Sequence, residues 1–206
     1  DNIQAMLAEE RSPILATAAT TATFYSISNC QPGLRGISFG HFLIKQVAAD
    51  LRRDLPGLTC FVTLSPIPGL INWLRTQSLA DDELALLDAL TTSGGLTTAN
   101  EAAARAFLER QAAVYFTQAR NAAGKPRDPV ARFHLGNGAR LERLNWRGDN
   151  SPKGLRQSGG LMVNYLYDLD RIEENHEAFA ERGEVVIGAP FRKLMAASAS
   201  KRNTKG

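Results

Sequence analysis

The chain has 206 residues, of which 44% are hydrophobic, and it carries a formal net charge of +3 at pH 7. Such a chain can bury a core of its own and fits one domain, with room for an appendage. The small net charge, without basic stretches interleaved with aromatic residues, argues against a nucleic-acid partner. No apolar run approaches the roughly 18 residues of a membrane-spanning helix, so no membrane partner is expected either.

Both ends of the chain are predicted to lie outside the domain. Residues 1–22 have the pattern of a short helix and a linker, and the basic tail 191–206, rich in small polar residues, is predicted to be disordered. The first residue is not Met, and we expect the chain to be a piece of a longer protein. The two cysteines, Cys30 and Cys60, are too few for a disulfide framework and indicate a reducing compartment such as the cytoplasm.

The first predicted unit is a strand, a glycine-rich loop, a helix and a second strand. Residues 23–28 are rich in β-branched and aromatic side chains, which favour a strand. The loop 29–40 follows, and an apolar stripe over 39–51 predicts a helix. Residues 60–64 are short, apolar and β-branched, and they predict a buried strand. A unit of this kind normally places its two strands side by side and parallel.

The second strand is predicted to end at Ser65. The residues after it, Pro66, Pro68 and Gly69, disfavour further strand pairing and an immediate helix. In open α/β sheets the carboxyl ends of strands are where ligands bind. Ser65 is therefore a candidate site residue, although no Gly-x-Ser-x-Gly elbow surrounds it and no base is near it in sequence.

The glycine-rich loop has the composition of an anion-binding turn. Gly33, Gly36 and Gly40 allow a ligand to approach the backbone closely, and the next helix directs free N–H groups toward it. A pyrophosphate would suit such a cradle. The loop matches neither the Walker nor the dinucleotide-binding pattern, and a plain tight turn is an equal alternative.

The middle of the chain is predicted to be helical and the last third to contain strands. The predicted helices lie at 70–74, at 81–90 and from a capping box at 98–101 to about residue 121. The predicted strands lie at 131–135, 140–146 and 160–168, and a polar helix follows at 172–182. The aromatic alternation over 158–167 is typical of a half-buried strand that packs in the core.

His134 lies in the predicted strand 131–135, where it alternates with Phe133 and Leu135 and should face away from them. Residues 136–138 are predicted to form the tight turn of a hairpin into the next strand. A single histidine of this kind is more often structural than catalytic. No histidine or cysteine of the chain has the spacing of a metal site.

Taken in order, these segments resemble malonyl-CoA decarboxylases. The shared blocks are Phe-Tyr-Ser-Ile-Ser (24–28), Gly-Leu-Arg-Gly (33–36), Gly-His-Phe-Leu-Ile-Lys (40–45), Leu-Ser-Pro-Ile-Pro-Gly (64–69), Phe-His-Leu-Gly-Asn-Gly-Ala (133–139), Asn-Trp (145–146) and Gly-Leu-Met-Val-Asn-Tyr-Leu-Tyr (160–167). They cover about residues 20–170, apart from the helical region 75–125. Their order and rare combinations make the resemblance specific.

The resemblance implies an α+β or α/β fold of the GNAT acyltransferase type, with a mixed sheet flanked by helices and a helical insertion around 75–122. Residues 23–190 would form part of this catalytic domain. The loop would hold the pyrophosphate of coenzyme A through Gln31, Gly33, Leu34, Arg35, Gly36, Ser38 and Gly40. Animal members carry an acid at the position of Ser38, so no acidic contribution transfers to it.

The resemblance further implies that Ser65 and His134 are the catalytic pair and that Ser26, Ser28 and Tyr167 line the substrate. Loss of CO2 from malonyl-CoA leaves an enolate, and hydrogen-bond donors that meet the developing charge lower the barrier. Neither a metal nor an organic cofactor is expected. We expect Ser65 and His134 to orient the malonyl carboxylate and to assist protonation of the carbanion.

Family members also have an N-terminal helical domain and earlier strands that this chain lacks. The resemblance therefore implies a partner, either the missing N-terminal part of the same protein or another chain, and a homo-oligomer. The compartment would be the cytoplasm, as in bacteria, or a mitochondrion or peroxisome. Two alternatives stay open: an acyltransferase that passes the acyl group to an amine, and a non-catalytic module for coenzyme A binding or assembly.

Overall fold

A four-stranded mixed sheet forms the centre of the described part of the chain. The computed structural model describes residues 8, 15–25 and 40–202, without the side chains of 40–42 and 197–202. The strands are β1 (Thr21–Tyr25), β2 (Cys60–Pro66), β3 (Arg140–Asn145) and β4 (Met162–Leu166), in the order β1-β2-β4-β3. β1 and β2 are parallel, whereas β4 is antiparallel to both β2 and β3. The predicted parallel pairing of the first two strands, with a helix between them in the chain, and the mixed sheet are confirmed.

Helices flank this sheet. They are α1 (Gly40–Asp54), α2 (Leu70–Leu74), α3 (Asp81–Thr91), α4 (Glu101–Gln118), α5 (Pro129–Gly136), α6 (Pro152–Ser158), α7 (Ile172–Arg182) and α8 (Ala189–Arg202), and a 3-10 turn, Ala16–Ala18, precedes β1. α3 and α4 form the predicted helical insertion. The predictions for α2 and α7 are confirmed at both ends, and α1 and α3 lie where the apolar stripes place them.

The core lies between the sheet and α4. Phe116 of α4 meets the ring of Tyr165 edge-on, with 6.4 Å between centroids, and meets Phe191 of α8 at 6.0 Å. All three rings are fully or almost fully buried. Period-2 alternation along β2 turns Phe61, together with the polar residues Thr63 and Ser65, toward this helical side. Polar groups from β2 therefore enter an otherwise apolar core.

The predicted strand over 131–135 is wrong, because these residues belong to helix α5. Asp128 caps the helix and Pro129 occupies its first position, two signals that favour a helix start. The buried residues Ala131, His134 and Leu135 have i, i+3, i+4 spacing, which a five-residue alternation does not separate from a strand. The predicted hairpin is wrong as well, since residues 136–138 end α5, with Gly138 at φ +78°.

Three further differences lie outside the site. A capping box at 98–101 was predicted to open α4, but the helix begins at Glu101. Just before it, the Asn100 side chain accepts a hydrogen bond from the N–H of Thr97. Helix α6, with the cap Ser151, lies in a segment for which no element was predicted. The prediction of a disordered tail over 191–206 is wrong for the first residues of that tail. They belong to α8, which extends to Arg202 and buries Phe191. The predicted helix near residue 1 lies outside the described residues.

Candidate active site

Ser65 lies near the end of β2 and is 5% exposed. The strand continues one residue beyond the predicted end, because β4 runs antiparallel and pairs with both Ser65 and Pro66 through Val163 and Met162. The loop that follows packs closely on α4: a Cβ at Gly69 would lie 2.5 Å from the hydroxyl oxygen of Tyr115. A side chain in place of the glycine of the Leu-Ser-Pro-Ile-Pro-Gly block would therefore require the Tyr115 ring to shift.

His134 of helix α5 places its imidazole against this serine. Its Nε2 lies 3.3 Å from the Oγ of Ser65, although the two residues are 69 positions apart in the chain. The histidine is 2% exposed, and burial lowers its pKa to about 3. The imidazole is therefore neutral near pH 7 and can act as a hydrogen-bond donor or acceptor, without a positive charge.

Tyr167 contacts the other nitrogen of the ring. Its hydroxyl oxygen is 2.8 Å from Nδ1 of His134, and its backbone N–H donates to the carbonyl of Phe61 at the same distance. Burial raises the pKa of the Tyr167 phenol, so the phenol keeps its proton at neutral pH. That Tyr167 lines the substrate stays a prediction; in the structure its hydroxyl contacts the histidine.

Thr63 and Tyr165 also belong to the site, and the sequence reasoning missed both. The Ser65 hydroxyl donates to Oγ1 of Thr63 at 2.9 Å, and the same oxygen accepts the backbone N–H of Tyr165 at 3.2 Å. The Tyr165 ring stacks on His134, with centroids 4.5 Å apart. The signal was available, because each residue lies two positions from a predicted site residue and so shares its strand face.

Asn137 caps the end of α5 and is 1% exposed. Within the described ranges, neither atom of its side-chain amide has a hydrogen-bond partner. The backbone just around it is well held, since His176 Nδ1 lies 2.7 Å from the carbonyl oxygen of Gly136 and Asn175 donates to that of Gly138 at 3.1 Å. The end of the helix that carries His134 is thus anchored on α7.

Ser26, Ser28 and the loop residues Gln31, Gly33, Leu34, Arg35, Gly36 and Ser38 lie outside the described residues. Gly40 is the first residue of α1.

Among the described residues, no group of three or more His, Cys, Asp or Glu side chains is arranged to hold a metal ion. None of the described helices is both long and apolar enough to cross a membrane. Cys60 is a free thiol, whereas Cys30 lies outside the described residues.

Comparison with known proteins identifies relatives over almost the whole chain. Malonyl-CoA decarboxylase of Rhodopseudomonas palustris has a solved structure that is 52% identical, with a TM-score of 0.86 over 94% of this chain and 46% of that one. The enzyme of Agrobacterium vitis is 53% identical, with a TM-score of 0.82 over 94% of this chain and 50% of that one. The mouse mitochondrial malonyl-CoA decarboxylase is 38% identical over 91% of this chain.

These relatives are about twice as long as the chain, which spans 42% of the mouse protein. Residues 1–205 match the sequence profile of the malonyl-CoA decarboxylase C-terminal domain. The chain therefore belongs to the malonyl-CoA decarboxylase family, as a match to its C-terminal domain.

Proposed function

We propose that the protein containing this chain converts malonyl-CoA to acetyl-CoA and CO2. The observation that carries the proposal is the contact between Ser65 at the end of β2 and His134 of α5, which are both buried and lie 3.3 Å apart. Family membership supports the substrate, because the relatives are named for malonyl-CoA. Ser65 and His134 would act on the malonyl carboxylate.

The substrate supplies most of the chemistry. When the bond to the carboxylate carbon breaks, its electron pair moves onto the neighbouring carbon and the thioester carbonyl, which forms an enolate and releases CO2. A proton then adds to that carbon to give acetyl-CoA. Because the thioester is itself the electron sink, the proposed reaction needs no metal, organic cofactor or covalent intermediate. The protein has to orient the carboxylate, stabilise the developing charge and supply a proton.

The side chains around His134 support a donor role for its Nε2. The neutral Tyr167 phenol can donate to Nδ1, which leaves the ring proton on Nε2, facing Ser65. A carboxylate that lies against both Ser65 and His134 would then receive two hydrogen bonds. After CO2 has left, the same Nε2–H can be delivered to the carbanion, with the proton restored from water. Tyr167 thus acts through the histidine in this proposal.

We propose that the residues of the glycine-rich loop bind the rest of the substrate. The pyrophosphate of coenzyme A would bind at Gln31, Gly33, Leu34, Arg35, Gly36, Ser38 and Gly40, and Ser26 and Ser28 would line the malonyl group. The start of α1 at Gly40 supports this, since free N–H groups at a helix N-terminus favour phosphate. The remaining half of the longer protein would complete the enzyme, and we propose a homo-oligomer.

The proposal is tested with the full-length protein and malonyl-CoA alone, by following CO2 release and acetyl-CoA formation without an added amine. A decarboxylase turns over under these conditions, whereas an acyltransferase or a coenzyme A-binding module does not. His134→Asn should lower kcat by at least about a hundredfold. Ser151→Ala, which removes a helix cap away from the site, is the matched control. Parental turnover by a folded His134→Asn protein would overturn the assignment.

A further inference from the structure

The position of His134 depends on how the ends of α5 are held. The helix has eight residues, and a helix of two turns is not stable by itself. Its C-terminal end is anchored on α7 through His176 and Asn175. Its N-terminal end has a different anchor, which is a single buried carboxyl group.

Asp128 provides that anchor. Its Oδ1 accepts a hydrogen bond from the backbone N–H of Ala131 at 2.8 Å, as a helix cap does. The segment leading into it is braced by Arg132, whose Nη1 donates to the carbonyl oxygens of Pro126 and Arg127, each at 2.8 Å. The first turn of α5 is therefore tied to the Asp128 side chain.

The second oxygen of Asp128 has no part in the cap. The residue is 1% exposed, and its Oδ2 makes no hydrogen bond of ordinary length in the described part of the chain. The hydroxyl of Tyr115 is the side-chain group that interacts with this carboxyl group. The hydroxyl of Tyr165 is also buried and unpartnered. After burial itself, the charge of Asp128 is the largest cause that raises the pKa of the Tyr165 phenol. The charge of Asp128 thus acts on the ring that stacks on His134.

Capping alone does not explain a carboxyl group at this position. Ser151 caps α6 with one hydroxyl, which accepts the N–H of Gly154 at 3.1 Å, and α6 also has proline at its start. A single oxygen therefore suffices for such a helix in this chain. Burying a carboxyl group is costly, and burial raises the pKa of Asp128 to about 6. Costly buried polar groups of this kind cluster at functional sites.

We propose that Asp128 is a positioning residue, whose carboxyl group holds His134 in place opposite Ser65 through the cap of α5 and through Tyr165. This inference rests on the proposed function, because it assigns Asp128 to the same site. Asp128 touches no reacting atom in this arrangement. Its contribution is the orientation of the imidazole, which has to direct Nε2 at the substrate.

The groups that face Asp128 come from three directions. Tyr115 of α4 and Tyr165 of β4 lie within reach of its charge, and Arg127 and Arg132 lie on its own segment. Both phenols keep their protons well above neutral pH, since burial raises their pKa. Near pH 6, Asp128 is therefore the group of this set whose charge changes.

The test compares three variants of the full-length protein. Asp128→Asn and Asp128→Ser keep a capping oxygen but lose the carboxylate, and Asp128→Ala loses both. We expect all three to lower kcat about tenfold or more with KM within about twofold, and Asp128→Ala to be the least stable. The kcat of the parent should change with pH near 6, and Asp128→Asn should lose that change. Ser151→Ala, the matched cap variant, should keep the parental kcat.

A second readout does not depend on turnover. In protein labelled with 15N-histidine, the ring nitrogens of His134 should shift in Asp128→Asn and Asp128→Ser but keep their parental values in Ser151→Ala. Parental kcat together with unchanged His134 signals in the two capped variants would overturn the inference and leave Asp128 as a cap. If the parent releases no CO2, the proposed function fails, while the nitrogen shifts still decide whether Asp128 positions the ring.

Discussion

The imidazole of His134 lies stacked on the phenol ring of Tyr165, with centroids 4.5 Å apart and planes inclined by 25°. The stack covers one face of the imidazole, while its two nitrogens contact Ser65 on one edge and Tyr167 on the other. Rotation of the ring would break both edge contacts at once. The histidine is thereby held in one orientation before any substrate arrives, which is the preorganisation that a proton donor requires.

Replacement of Tyr167 by Phe should lower kcat about tenfold to a hundredfold with a smaller change in KM. The ring volume is kept, but Nδ1 of His134 loses the hydroxyl that lies 2.8 Å away. Without that donor, the ring proton is no longer directed to Nε2. Steady-state kinetics on the full-length variant, with circular dichroism to check the fold, measure the effect. A variant in which KM rises and kcat is parental would show that Tyr167 contacts substrate instead of orienting the histidine.

Replacement of Ser65 by Ala should lower kcat about a hundredfold, because the malonyl carboxylate loses one of its two proposed donors. The fold should be retained, since the serine hydroxyl bonds only to Thr63 and His134 among the described residues. Mass spectrometry of the intact parent during turnover should give the unmodified mass. An added acyl group that disappears in Ser65→Ala would instead identify Ser65 as a nucleophile.

Replacement of His134 by Asn should make the protein less sensitive to acid. The pKa of His134 is lowered to about 3 in the folded state, from an ordinary value of 6.5. Between these values the unfolded chain binds a proton that the folded chain excludes, so stability is lost as the pH falls from about 6.5 to 3. This proton linkage lowers the free energy of unfolding by about 4–5 kcal/mol when the pH has fallen to about 3.

The check is the free energy of unfolding, measured from pH 7 to pH 3.5 for parent and variant. The curve of His134→Asn should be flatter, whatever its stability at pH 7. His176→Asn is a useful comparison, because His176 lies on α7 and is only partly buried. Parallel curves for the parent and His134→Asn would contradict the neutral, buried state of the imidazole.

Replacement of Phe191 by Ala should lower the free energy of unfolding by about 3–5 kcal/mol. Its ring is fully buried and packs 6.0 Å from Phe116, so its removal leaves a cavity between α8 and α4. Lys193→Ala, at an exposed position of the same helix, should change stability by less than about 0.5 kcal/mol. Denaturant unfolding measures both, and equal stabilities would mean that α8 is not packed on the core.

Local patterns were sufficient for α1 and β2. The helix was predicted from its apolar stripe and the strand from a short apolar, β-branched run, and β1 and β2 are parallel as the unit requires. The same reasoning was wrong for 131–135, because five residues fit a strand and a two-turn helix equally well. The cap at Asp128 and the proline after it were visible in the sequence, and they decide the structure of that segment.

The sequence alone was sufficient to identify the family and to select Ser65 and His134 as candidate catalytic residues, because ordered motif blocks carry that information without coordinates. Only the tertiary structure decided how Ser65 and His134 meet, since they are 69 residues apart and lie on different elements. It likewise made Tyr167 and Tyr165 neighbours of the imidazole, one at its edge and one at its face. Such contacts arise from the packing of α5 on the sheet, and burial there keeps the histidine neutral. No local pattern encodes either effect.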